Sequence, residues 1–401
     1  MILGISLDEN FVYVNVLGND EVAEIPFALG RNLINNSWFI GEDARVENID
    51  NTDIVIDKLY YLLENDGNAK IGNKSYDAKE LTEIFMNTLI LKYQDIEYLS
   101  VVVRNNNIKV LSKLESALTN IFKDENKFKV TTFSEAFISY IKSKPKEYYA
   151  NPVALINFTE KALTYYELVR YKGDNDLEYW KVETKEHLSL PLDLLSGDTG
   201  KKLCDNLLYD FIKGSIKEEA YNNIILSGLG FNEASAYREF MTHVCSIARV
   251  DTDINFFAKA AAILASDFLN NNFDENVVLM SDARTTVSIS IYAKVNKKDT
   301  KLEIIKPGME WFGIFNYSFN VIVEDTRFIK FEYLKVIEGV IKEFTINIPD
   351  NYVLRNDKSN QFEISLTFIQ QNVMDILVSD IGFGEFYEAS HERIMKDNIV
   401  L

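Results

Sequence analysis

The apolar positions of this chain trace one outline twice. Near the start, Leu3, Ile5 and Leu7 alternate with small or polar residues, "DEN" interrupts, and "FVYVNVL" returns. About a hundred and fifty residues later, "VALINF" is followed by "TEKA" and then "LTYYELV". Alternation on both sides of a polar turn predicts a β-hairpin each time. "EVAEIPFAL" offers a third strand after the first hairpin. Helical spacing follows in "AKELTEIFMNTLILKY", where Leu81, Ile84, Phe85 and Leu89 share a face. Then come a buried strand "YLSVVV", an amphipathic helix "KVLSKLESALTNIF", a short strand "FKVTTF" and a helix "SEAFISYI" with Ser134 as N-cap. After the second hairpin the same kinds of element recur: helix "TGKKLCDNLLYDFIKG", strand "NNIILSG", and the Ala-rich helix "NFFAKAAAILASDFL". The repeat implies a duplicated α/β unit. Proline-bearing "SKPKEYYANP" marks the crossover.

From about residue 277 the texture changes. "TTVSISIYAKV", "KLEIIKPG", "SFNVIVE", "RFIKFEYLKV", "KEFTINI", "QFEISLTFIQ" and "NVMDILVSD" read as short strands with no helix between them. That spacing predicts an all-β sandwich.

Length and composition narrow the function classes. The 401 residues suggest more than one domain, and 47% hydrophobic residues suffice for real cores. A net charge of −19 argues against nucleic acid and anionic lipid as partners. No apolar run reaches membrane-spanning length, and "MILGISLDEN" lacks the basic region of a signal peptide, so a cytoplasmic protein without membrane insertion is expected. Cys204, Cys245, His187, His243 and His391 form no zinc spacing and no disulfide framework. No Walker sequence or nucleophile elbow occurs.

The segment "FEISLTFIQQNVMDILVSDIGFGE" resembles the paired strands late in the β-sandwich of DnaK-like heat-shock chaperones, members of the actin and sugar-kinase ATPase superfamily. Glu363, Ile364, Leu366, Phe368, Val373, Met374, Ile376, Asp380 and Gly384 carry the match. More weakly, "ILGISLDEN" and "LINFTEKALTYYEL" stand where that superfamily has its two phosphate loops. "TTFSEAFISYI" resembles the interlobe helix, with Glu135 at a hinge-side glutamate. "NIILSGLGF" resembles the adenosine loop, and "NFFAKAAAILA" the helix after it. The spelling "ILSGLGF…FAKAAA…DIGFGEF" also resembles a DnaK-like family of low-GC Gram-positive bacteria.

The resemblance implies an actin-like, ribonuclease H-like duplicated domain over residues 1–276, with lobe I about 1–148 and lobe II about 149–276. A β-sandwich resembling a chaperone peptide-binding domain would fill 277–401, with no helical lid. Two departures stand out: the chain ends soon after the sandwich, and the stretch before "NIILSG" is short, which implies a reduced adenine-covering subdomain.

An actin-like ATPase needs small residues against phosphate, a carboxylate in each lobe for hydrated Mg²⁺, and cations or hydroxyls for the γ-phosphate. Here the carboxylate positions hold Ser6 and Asn157. The first turn offers Asp8, Glu9 and Asn10; in the second, Thr159, Glu160 and Lys161 would crowd a phosphate. A one-residue shift could bring Asp8 to a metal, with Glu160 opposite, but solvated turn acids are the simpler reading. Gly228 and Gly230 suit either a nucleotide's sugar or an ordinary strand-to-helix turn. Lys259 could face the cleft or solvent. The expected nucleotide-site remnants are therefore Ser6, Asp8, Glu135, Asn157, Gly228 and Gly230, with no catalytic residue and no metal ligand.

The leading expectation is a non-hydrolysing protein-binding or assembly factor that requires no cofactor. The alternatives are an ATP-dependent chaperone using ATP/ADP with Mg at a divergent site and, less favoured, a small-molecule kinase. The expected partner is a protein or peptide. Among the sandwich aromatics Tyr292, Phe328, Phe331 and Tyr333, the first two are the candidates to meet it.

Overall fold

The computed structural model describes residues 1–46, 53–104, 106–160, 162–173, 176–188, 192, 197–217, 220–295, 298–312, 317–323, 326–350, 352–355, 359–385, 387–389 and 393–401. They form two compact units, Met1–Val277 and Val278–Leu401.

In the first unit the predicted hairpin is β1 (Ile2–Leu7) and β2 (Phe11–Val16), joined by β3 (Val22–Pro26). Strands β4 (Tyr98–Val103) and β5 (Phe128–Thr132) complete a sheet of order β5-β4-β1-β2-β3. The β1–β2 and β2–β3 pairs are antiparallel, and β1–β4 and β4–β5 are parallel. The second half repeats this pattern. Strands β6 (Val153–Phe158), β7 (Ala162–Lys172), β8 (Glu178–Leu188), β9 (Asn223–Ser227) and β10 (Arg249–Thr252) run in the order β10-β9-β6-β7-β8 with the same pairing senses. The duplication is therefore a duplication of topology and not of hairpins alone.

Apolar periodicity decides the helices. α1 (Ala78–Ile90) starts on a capping box: Asp77 accepts from the Glu80 amide at 2.8 Å, and the Glu80 carboxylate accepts from the Asp77 amide at 3.1 Å. α2 is Ile108–Phe122. α3 (Phe133–Lys142) begins at Phe133 after Thr132, so Ser134 is not its cap. Ser134 lies inside the first turn, buried, with its hydroxyl unpartnered. The backbone turns helical two residues earlier than a Ser134 cap allows, and Phe133 at its first position is buried. α4 (Asp198–Lys213), α5 (Arg238–Ile247) and α6 (Phe256–Leu269) belong to the second half. Among the described residues, only β8 and α4 lie between β7 and β9 apart from short turns.

The two halves exchange helices. Phe137 of α3 meets Tyr166 of β7, with ring centroids 6.5 Å apart. In return α6 crosses β1 at Gly4, where a Cβ would lie 2.1 Å from the Ala262 nitrogen and 2.4 Å from the Ala258 oxygen. Only hydrogen fits there, which accounts for both the glycine and the alanine-rich face opposite it.

The second unit holds two four-stranded antiparallel sheets. One contains β11 (Val287–Val295), β12 (Lys298–Ile305), β14 (Phe328–Lys335) and β15 (Val340–Asn347), in the order β12-β11-β14-β15. The other contains β13 (Tyr317–Val323), β16 (Asn360–Gln370), β17 (Val373–Asp380) and β18 (Arg393–Val400), in that order. Burial alternates residue by residue along β16 and β17, so each buries one face. Among the described residues no helix follows these strands.

Candidate functional site

The two hairpins end at the same place. Ser6 and Asn157 are each the fifth residue of a six-residue strand. Ser6 lies opposite Tyr13 and Val102, and Asn157 lies opposite Thr164 and Ser227, so they are topological counterparts. The turns close with the same bond, Asp8 N to Phe11 O at 2.9 Å and Thr159 N to Ala162 O at 2.9 Å. Between them lies a cleft of about 590 Å³, open to solvent. Ser6, Asp8, Glu9, Asn10 and Tyr13 line it from the first half. Asn157, Thr159, Glu160, Ser227 and Gly228 line it from the second. Phe133 and Phe257 also face it, their rings stacked 3.8 Å apart at 16°.

Ser6 and Asn157 are 4% and 3% exposed. The acids sit at the turns, and all three are engaged: the Asp8 carboxylate accepts from the Glu9 amide at 2.8 Å. Glu9 pairs with Arg104 at 2.9 Å, and Glu160 accepts from the Asn10 amide at 2.7 Å. Burial opposes the charge on Arg104, but Glu9, Glu186 and Asp8 hold it on, and the guanidinium stays above its ordinary range. Burial, with Asp8, Glu24 and Glu160 nearby, pushes the Tyr13 phenol far above its usual value.

The structure brings four of the expected residues to the cleft: Ser6, Asp8, Asn157 and Gly228. It leaves two out. Glu135 is 1% exposed in the first turn of α3, where it accepts from the Thr131 hydroxyl at 2.8 Å. Gly230 packs on Phe158, and a Cβ there would fall 2.2 Å from the ring. Gly228 has φ +91°, and its Cβ would lie 2.4 Å from the Phe158 carbonyl oxygen. Both glycines thus let the loop close over the second hairpin. Lys259 does not line the cleft; it pairs with Asp253 at 3.0 Å. Lys161 falls outside the described residues. Sequence reading missed Tyr13, Phe133, Phe257 and Arg104. Each looks like an ordinary core or surface residue until the topology aligns the strand ends.

In the second unit Tyr292 and Phe328 are 51% and 48% exposed, on one outward sheet face. Phe331 and Tyr333 are core. The Tyr292 hydroxyl donates to Glu332 at 2.7 Å, Lys301 pairs with Glu332, and Lys330 pairs with Glu343 at 2.7 Å. That face is a charged cross-strand ladder rather than an apolar notch.

Residues 11–282 match a family described as "Family of unknown function (DUF5716) C-terminal". The chain belongs to this family. Residues 284–401 match "Domain of unknown function (DUF8552)". No curated protein matches the chain. A solved structure titled "Crystal structure of apo psk41 parM protein" is similar over 67% of this chain and 98% of that one, with 13% identity and a TM-score of 0.41. No helix of the described residues is long and apolar enough to cross a membrane.

Proposed function

We propose that the chain is a non-hydrolysing relative of the actin-like ATPases that works as a protein-binding or assembly factor. One observation carries the reading. The paired strand ends that would present a metal-holding carboxylate from each half present Ser6 and Asn157 instead. A hydroxyl and an amide neither neutralise Mg²⁺ nor make a water nucleophilic. The turns beside them place carboxylates where a triphosphate would need backbone amides, so the cleft repels the anion. Among the described residues no group of three His, Cys, Asp or Glu side chains converges on a metal position.

A polypeptide contact through the second unit extends this reading, with Tyr292 and Phe328 among its exposed aromatics. The alternative, an ATP-driven chaperone with divergent loops, is favoured by Asp8, which lines the cleft beside Ser6. ATP turnover and nucleotide affinity, each measured with and without Mg²⁺, separate the two. The expected result is no turnover. Turnover of ~1 s⁻¹ or more that Asp8→Asn abolishes would favour the chaperone.

A further inference from the structure

We propose that the second unit pairs with a second copy of this chain through the edge strand β13, antiparallel and centred on Asn320; this rests on the assembly reading above and names its partner. A sheet edge is a row of unpaired backbone donors and acceptors, and proteins blunt such edges with charge, proline or a cover. Three of the four edge strands in this unit follow that rule. β12 carries Lys298, Asp299, Lys301 and Glu303, β15 carries Lys342 and Glu343, and β18 carries Arg393, Lys396 and Asp397. β13, "YSFNVIV", is seven residues long and carries no charge, proline or glycine. Among the described residues it pairs with one strand, β16. Its side chains reach solvent: Tyr317 and Ile322 are 40% and 53% exposed, and Ser318 and Asn320 are exposed between them.

A second observation is the incomplete core at the same edge. Tyr317, Phe319 and Val321 lie opposite Leu366, Ile364 and Phe362, which are fully buried, so all six share the interior face. Yet Phe319 and Val321 are only half-buried and Tyr317 is exposed. The neighbour that completes this edge is an extended strand with apolar residues at alternate positions. β13 itself meets that description. Turned about a two-fold axis at Asn320, it sets Phe319 against Val321 and Tyr317 against Val323 on the interior face. On the outer face it sets Ser318 against Ile322 and Asn320 against its own copy. No like charges meet along the pair. Residues 278–401 hold 18 Asp and Glu against 14 Lys and Arg, so most of the −19 charge lies outside this unit. A pair of seven-residue strands is smaller than the usual interface of about 1,600 Å², so the dimer should dissociate on dilution.

The test is sedimentation velocity of the full chain over about a hundredfold range of concentration. A reversible dimer that grows with concentration is expected. Asn320→Lys, at an exposed position, sets two like charges face to face and should leave a monomer with an unchanged melting curve. Ile341→Lys, exposed on the edge strand β15, should dimerise like the parent. Cys245 is an exposed thiol, so the register is read in a Cys245→Ser chain. There Asn320→Cys should crosslink to a dimer under mild oxidation, because directly opposed residues stand within disulfide reach, and Ser318→Cys should not. Should Asn320→Lys fail to fold, the two cysteine variants decide. A monomer at every concentration overturns the proposal. So does a dimer that survives Asn320→Lys, or one that crosslinks equally through both cysteines. Phosphate release from MgATP, followed in the same samples, reports separately on the non-hydrolysing reading. A chain that stays monomeric and turns over no ATP loses only this proposal.

Discussion

The side-chain amide of Asn10 donates a 2.7 Å hydrogen bond to Glu160 Oε2, tying together two turns that lie 150 residues apart. Both residues line the cleft, so the bond spans its mouth. Glu160→Ala should therefore loosen both hairpins while leaving the cores intact. The bond is exposed, and its loss costs no more than about 1 kcal/mol. Hydrogen exchange resolved by mass spectrometry should rise at residues 8–13 and 158–164 and stay level in β4 and β9. Glu160→Gln keeps an acceptor and should exchange like the parent. Equal protection in Glu160→Ala would mean that the bond holds nothing.

Gly4 gives a sharper energetic test. A Cβ there meets backbone atoms of α6 on three sides, and backbone cannot rotate away. Gly4→Ala should cost about 3 kcal/mol or more, at or above the upper end of ordinary overpacking. Gly72→Ala is the control: its φ is +61° and nothing lies within 4 Å of its Cβ. That variant carries only the left-handed backbone penalty of about 1–2 kcal/mol. Urea midpoints compared between the two separate close packing from backbone strain. A smaller loss for Gly4→Ala than for Gly72→Ala would mean that α6 shifts freely on β1.

The hairpins and the amphipathic helices were legible because burial on one face forces a period of two or 3.6 onto the residues. Strand β8 was not, because Glu178, Lys181, Glu183, Lys185 and Glu186 interrupt any apolar alternation in a ribbon held mainly by its pairing to β7. Strand β18 was hidden in the same way by Lys396, Asp397 and Asn398, and it pairs only with β17 at a sheet edge. The counterpart relation of Ser6 and Asn157 was visible from the repeated hairpins. The aromatic wall was not, because Phe133 and Phe257 converge only through the exchange of α3 and α6, which no local pattern encodes.

The two thiols should behave differently. Cys204 is fully buried in α4, while Cys245 is exposed on α5. Burial pushes the Cys204 thiol up to about 11, against a hydrogen bond with Tyr237 and with help from Asp205. Iodoacetamide at pH 8 should give a single adduct, at Cys245, in the native chain and two in denaturant. The sign of the pH dependence follows. The unfolded thiol ionises near 9.0 and the folded one only near 11, so the stability contributed by the buried neutral thiol is intact below 9 and is lost as pH rises from 9 towards 11. Cys204→Ala should flatten that part of the alkaline stability profile. Native double alkylation at pH 8 would contradict the burial of Cys204.

Asp205 is a buried carboxylate with a structural task. It accepts from the backbone amides of Glu239 at 3.0 Å and Phe240 at 2.9 Å, and so caps the start of α5 from α4. Phe240 in turn stacks on Phe231, whose edge meets the Phe158 ring beneath Gly230. Asp205→Ala should cost about 1–2 kcal/mol, the range of a lost N-terminal cap, and Asp205→Asn should recover part of it. A loss below about 0.5 kcal/mol would show that water replaces the cap.

The polar stretch around 270–276 should be the first site of proteolysis, and the structure narrows where. On one side, Asn272 donates to Asp267 at 3.0 Å, and the Asn272 carbonyl accepts from Lys142 Nζ at 2.6 Å. On the other, Ser281, Ala283 and Thr285 are buried within the second unit. Between them Phe273 is 41% exposed, and Asp274 and Glu275 are exposed too. Loops are cut where backbone is exposed and few contacts must open. Limited digestion with a glutamate-specific protease should thus cut after Glu275 before any other glutamate, and chymotrypsin should cut after Phe273. If the two units fold independently, the products 1–275 and 276–401 should each melt cooperatively. Cleavage that begins inside either unit and spares 273–275 would place the division elsewhere. Loss of cooperative melting in both fragments would make the second unit part of the first unit's fold rather than a neighbour to it.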